Sequence, residues 1–171
     1  DLDITLLQNI KWAINQFNLK MHHFKSPRAL AFVIKGLYFF NLKLIDNKIS
    51  DTIHKTANKL ADLYDFHSEN DWNWFEPYLT YANSVLPESL LYAWKCTGVT
   101  RYKLIAKESF DFLLSKIFNN HSIRVISNQN WLIKGFEEKL AHTGGEQPIG
   151  VAYTILALKQ CNHIFPFEWY D

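Results

Sequence analysis

Strong net charge, paired cysteines, glycine-rich loops and long apolar runs are all missing from this chain, and each absence closes off a class of function. Its 171 residues carry 18 Lys and Arg against 17 Asp and Glu, a formal charge of +1. That leaves no basic field to gather nucleic acid, and no Lys/Arg run marks a membrane-binding surface. The two cysteines, Cys96 and Cys161, lie in apolar, helix-like patterns without CxxC or Cys/His ligand spacing, so they read as buried free thiols. The longest apolar stretch, residues 29–40, is broken by Lys35 and Gly36 and falls short of the roughly 20 residues that span a bilayer. Nothing resembles a signal peptide, so the expectation is a cytoplasmic protein with no membrane span. His22, His23, His54, His67, His121, His142 and His163 show no metal-ligand spacing, and Gly144-Gly145 lacks the pattern of a phosphate cradle. No metal or cofactor is expected. A first residue Asp1 in place of Met suggests part of a larger protein.

Aromatic residues, by contrast, are abundant at 16%, and they concentrate. Residues 71–83 read Asp-Trp-Asn-Trp-Phe-Glu-Pro-Tyr-Leu-Thr-Tyr-Ala-Asn: five aromatics, two carboxylates and two Asn amides in thirteen positions. The proline and the two tryptophans fit no long amphipathic helix, and the absence of alternation fits no half-buried strand. The segment reads as a connection, where function concentrates.

The rest of the chain is repetitive. Pro27, Pro87 and Pro148, spaced by 60 and 61 residues, each suit the first turn of a helix and are each followed by an apolar run with an aromatic at the same offset. Two of these helices precede a second amphipathic helix, expected over 51–66 and over 100–118 with Thr100 as N-cap. A further helix over 3–17 carries Leu6, Leu7, Ile10, Ala13, Ile14 and Phe17 on one face. The pattern predicts an all-α domain spanning 1–171, six helices in repeated hairpins that stack as a partial (α/α) toroid. Residues 122–134, with alternating Ile123, Val125, Trp131 and Ile133, predict a small β-hairpin insertion. In such a repeat the connections entering neighbouring inner helices share one mouth.

Trp72-x-Trp74-Phe75-Glu76-x-x-Leu79-Thr80-Tyr81-x-Asn83-x-x-Leu86-Pro87, followed by Asn128-x-x-Trp131 and Gln147-Pro148-Ile149, resembles the α/α-toroid domain attached to bacterial glycosyltransferases, similar in build to six-hairpin glycosidases and sugar epimerases. The resemblance spans roughly residues 25–160 and implies carbohydrate work. Where that family reads Phe-Asp-Gln-Gln-Pro-Ile-Glu-Ala, this chain reads Thr143-Gly144-Gly145-Glu146-Gln147-Pro148-Ile149-Gly150 and lacks an aspartate and a glutamate.

Sugars offer apolar C–H faces and rings of hydroxyls, which call for flat aromatic walls with carboxylates and amides between them. Trp72, Trp74, Tyr78, Tyr81 and Trp131 are the candidate walls. Asn83, Asn128, His142 and Gln147 are the candidate polar contacts. Glycoside hydrolysis needs two carboxyl groups, and Glu76 with Glu146 form the candidate catalytic pair because both precede inner helices; an epimerase-like reaction would use His142. The chain is therefore expected to bind or process carbohydrate, as an accessory to a glycosyltransferase domain or as a homo-oligomer. A hydrolase or epimerase, and a purely structural helical-repeat module, are the alternatives. The last is favoured if the aromatics of 72–83 are buried.

Overall fold

A computed structural model describes residues 3–119, 122–136 and 142–166. It contains the six helices that the periodicity predicts: α1 (Ile4–Lys20), α2 (Pro27–Asn41), α3 (Asn47–His67), α4 (Val85–Thr97), α5 (Thr100–Ile117) and α6 (Pro148–Ile164). A short 3-10 helix (Met21–His23) and four two-residue strands, β1 (Tyr78–Leu79), β2 (Phe118–Asn119), β3 (Ser122–Ile123) and β4 (Leu132–Ile133), complete the regular structure among the described residues.

Side-chain caps set several helix starts. The Asp3 carboxylate accepts from the N–H groups of Thr5 and Leu6 at 2.7 and 3.2 Å, so α1 begins after Asp3 and runs on to Lys20. Those backbone bonds hold the Asp3 carboxyl below its ordinary value. Asp46 caps α3 by accepting from Lys48 N–H at 2.8 Å, which moves its start ahead of the expected residue 51. Thr100 is the first helical residue of α5 rather than its cap; Val99 takes the cap position. α4 stops at Gly98, whose φ of 72° favours glycine and whose N–H donates to Trp94 O at 2.7 Å.

α4 is the centre of the core. Every residue from Val85 to Ala93 is buried. The helix packs against α2 and α6, so the three proline-led helices lie together, while α3 and α5 cover α2 and α4 from outside. Trp74, Phe75, Leu86, Leu90, Tyr102 and Phe110 are fully buried, and each large apolar side chain removed from water this way is worth about 1.5–3 kcal/mol. α1 stands apart. It buries no side chain fully, Ile4 and Trp12 remain exposed, and an open groove of about 790 Å³ separates it from the α2–α3 turn. The outer side of α6 is also uncovered, with Ile149, Ile155 and Leu156 each about half exposed.

The expected hairpin within 122–134 is not formed. β3 pairs instead with β2, antiparallel, placing Ile123 opposite Phe118, and β4 pairs across the molecule with β1, placing Ile133 opposite Tyr78 and Leu132 opposite Leu79. The reason lies in burial: Val125, Ile126 and Ser127 are consecutively buried and pack into the core, so no alternating strand continues there. Trp131, Leu132 and Ile133 do alternate exposed, buried, exposed. Their partner is the aromatic connection.

Candidate functional site

The first turn of α2 supplies a residue that the motif reading passes over. Arg28 is only 7% exposed and clamps the connection leading into α4: Nη1 donates to Glu76 Oε2 at 2.5 Å, Nη2 to Asn83 Oδ1 at 2.8 Å, and Nε to Tyr81 O at 2.8 Å. A cation on a helix's first turn opposes the macrodipole, so an arginine there signals a nearby carboxylate. Asn83 closes the same loop, accepting from Thr80 N–H and donating to Thr80 O at 3.1 and 2.9 Å. Between them Ala82 is held at φ 48°, a left-handed conformation that a non-glycine residue adopts only when its surroundings enforce it.

The aromatic residues divide by burial. Trp74 is fully enclosed, and no hydrogen-bond partner reaches its indole N–H among the described residues. Trp72 is 7% exposed, packs edge-on against Phe112 at 5.1 Å, and donates Nε1–H to Glu76 O at 2.8 Å. These two tryptophans hold the core and the loop; Trp74 is wholly enclosed and Trp72 reaches the surface only at its edge. Tyr81 is different: 52% exposed, with the Arg28 guanidinium 5.2 Å from its ring centre. Tyr78 is half-buried and Trp131 is 48% exposed, their rings 5.4 Å apart and tilted by 36°. Burial, then the neighbouring Glu76 carboxylate, raises the Tyr78 phenol above its ordinary value.

The polar candidates are similarly split. Glu76 is buried against Arg28, whereas Glu146 is exposed beside Pro148 and Val151. Gln147 joins Tyr81 and Asn83 around a cavity of about 10 Å³ that also touches Gly150 and Thr154. That volume holds at most one water, so a sugar must lie outside it, on the exposed surface. Asn128 is exposed, with its N–H donating to Gly145 O at 3.0 Å, and Asn130 Nδ2 donates to Thr143 Oγ1 at 2.8 Å. The 127–130 and 143–145 segments therefore form one unit, and Gly144 is required where they touch, because a Cβ there would lie 2.9 Å from Ser127 Oγ and Gln129 Cβ. His142 is half-buried, with Nδ1 enclosed and no partner reaching it among the described residues. His121 lies outside the described residues.

The first turn of α2, the connection into α4 and the start of α6 thus meet, through Arg28, through Tyr81 and Asn83, and through Gln147 and Gly150, while the 21–26 connection contributes no residue to this cluster. Of the sequence candidates, Glu76, Tyr78, Tyr81 and Asn83 come together around Arg28, and Trp131 joins through Tyr78. Trp72 faces a separate depression beside β4.

Among the described residues, no group of three or more His, Cys, Asp or Glu is placed to hold a metal ion, and no helix is long and apolar enough to cross a membrane. No protein-family model, curated protein or solved structure matches the chain.

Proposed function

We propose that the protein binds carbohydrate on the surface formed by Tyr81, Tyr78 and Trp131, as a partial (α/α) toroid that serves as an accessory domain in a glycosyltransferase system. One observation carries this: two exposed aromatic rings, Tyr81 and Trp131, and the half-buried Tyr78 stand around a buried Arg28–Glu76–Asn83 clamp where the proline-led helices begin. Accessible rings supply the flat faces on which sugar C–H groups stack. The clamp keeps them in place without a ligand, which lowers the cost of binding. The amides of Asn128 and Gln147 are the hydroxyl partners.

Hydrolysis by Glu76 with Glu146 has less support. Glu76 spends an oxygen on Arg28 and is enclosed, while Glu146 lies in an exposed position. A structural interaction module is the second possibility, favoured by the burial of Trp72, Trp74 and Phe75 and by the uncovered Ile149, Ile155 and Leu156 on α6.

A glycan array combined with thermal-shift measurements tests the proposal. Binding that falls roughly fivefold or more in both Tyr81→Ala and Trp131→Ala, with folding intact, is expected. Binding unaffected by either change, or absent for every glycan, overturns it.

A further inference from the structure

A depression of about 310 Å³ lies beside the same β1–β4 ribbon and plays no part in the surface described above. Its size falls at the lower end of small-molecule sites, roughly 300–1,000 Å³. Two turns face each other across it. One runs from Glu69 to Trp72, closed by a pair of backbone bonds of 3.1 and 2.8 Å, with Asn70 at φ 42°. The other follows β4, closed by Phe136 N–H donating to Ile133 O at 3.0 Å, with Gly135 at φ 82°. Lys134 ties them together: its Nζ meets Glu69 Oε1 at 2.5 Å and donates to His67 O at 3.2 Å. The walls are therefore formed before any ligand arrives.

The lining suits a sugar residue. Phe136 offers a ring that is 72% exposed, and Asp71, Lys116 and Glu69 place charged donors and acceptors around it. One residue of the ribbon connects the depression to the Tyr78 surface. Ile133 lines it and is the register partner of Tyr78, so the two side chains share the ribbon's outward face while Leu79 and Leu132 point into the core. Beneath, Trp72 borders the depression and its indole N–H bonds to Glu76 O, linking it to the Arg28 clamp.

We infer that this depression is a second carbohydrate subsite, taking the neighbouring residue of a glycan whose first residue stacks on Tyr78 and Trp131, so that the ligand is a linear oligosaccharide and not a monosaccharide. The inference rests on carbohydrate binding at the Tyr78 surface. Phe136 is the residue that separates the two, being exposed, distant in sequence from the clamp, and dispensable for packing.

The probes are glucan, xylan and N-acetylglucosamine oligomers of one to six residues, titrated calorimetrically against the full chain. Affinity should rise on passing from one residue to three or four. Phe136→Ala should remove roughly fivefold or more of the affinity for the longer oligomers and leave any monosaccharide affinity unchanged, whereas Trp131→Ala should lower both. A monosaccharide binding as tightly as its tetramer, or Phe136→Ala leaving tetramer affinity within about twofold, overturns the second subsite while carbohydrate binding stands. No binding by any oligomer removes carbohydrate binding itself, and the subsite with it.

Discussion

The Arg28 guanidinium and the Glu76 carboxylate meet at 2.5 Å with both side chains about nine-tenths buried, joining the first turn of α2 to a connection 48 residues further along the chain. Taking both charges out of water costs several kcal/mol each, and two further guanidinium N–H groups help to offset it by finding acceptors at Tyr81 O and Asn83 Oδ1. The pair fixes how the loop enters α4, and with it where Tyr78 and Tyr81 stand.

Removing one partner should accordingly be severe. Glu76→Gln is expected to cost about 3–5 kcal/mol in urea unfolding because it strands a buried guanidinium. The double change Arg28→Met with Glu76→Gln should be less damaging than Glu76→Gln alone. Equal losses in the two would show that the ion pair does not organise the loop.

Trp74 distinguishes volume from polarity. Trp74→Ala should cost about 3–5 kcal/mol through the cavity it leaves. Trp74→Phe should cost well under half of that, because it keeps most of the ring contacts with Phe75 and Phe112 and removes an indole N–H that finds no partner among the described residues. Similar costs for the two changes would contradict this placement.

Alkali should unfold the protein through its buried tyrosines, among them Tyr92, Tyr102 and Tyr64, the last raised by burial and the Glu108 carboxylate. Burial pushes Tyr102 up to about 12, and burial with the nearby Glu88 carboxylate does the same for Tyr92. The unfolded phenols ionise near their ordinary value of 10.0, so between pH 10 and 12 the folded state holds more protons. Stability is then complete below pH 10 and falls above it, by up to about 1.4 kcal/mol per pH unit for each tyrosine. Denaturant midpoints across that range measure it, and Tyr92→Phe should flatten the slope.

The thiols should react unequally. Burial pushes the Cys161 thiol up to about 12, and the residue is 1% exposed, whereas Cys96 is half-buried beside Ser50 and Asn41. A thiol reagent at pH 8 should label Cys96 first and Cys161 only on unfolding. Early labelling of Cys161 would mean that α6 detaches from α4.

Much of the scaffold was legible because it is periodic. The prolines at positions 27, 87 and 148 mark helix first turns, and the apolar stripes behind them pack as expected. Pairings between distant segments were not legible. β4 satisfies the alternation rule but finds its partner in β1, more than fifty residues earlier, and nothing local in Trp131-Leu132-Ile133 specifies that choice. Arg28 was overlooked for the opposite reason: its neighbours read as a plain apolar helix, and only its unfavourable position in the helix dipole hinted at Glu76. In the aromatic segment composition alone could not sort Trp72 and Trp74, which pack inward, from Tyr81, which does not.

The most direct test follows the indole N–H signals of the six tryptophans by NMR while a linear N-acetylglucosamine, glucan or xylan tetramer is added. Carbohydrate binding at the Tyr78 surface predicts that the Trp131 signal moves saturably with one of these tetramers while that of the enclosed Trp74 stays in place. A Trp131 signal that stays still with all three would contradict it.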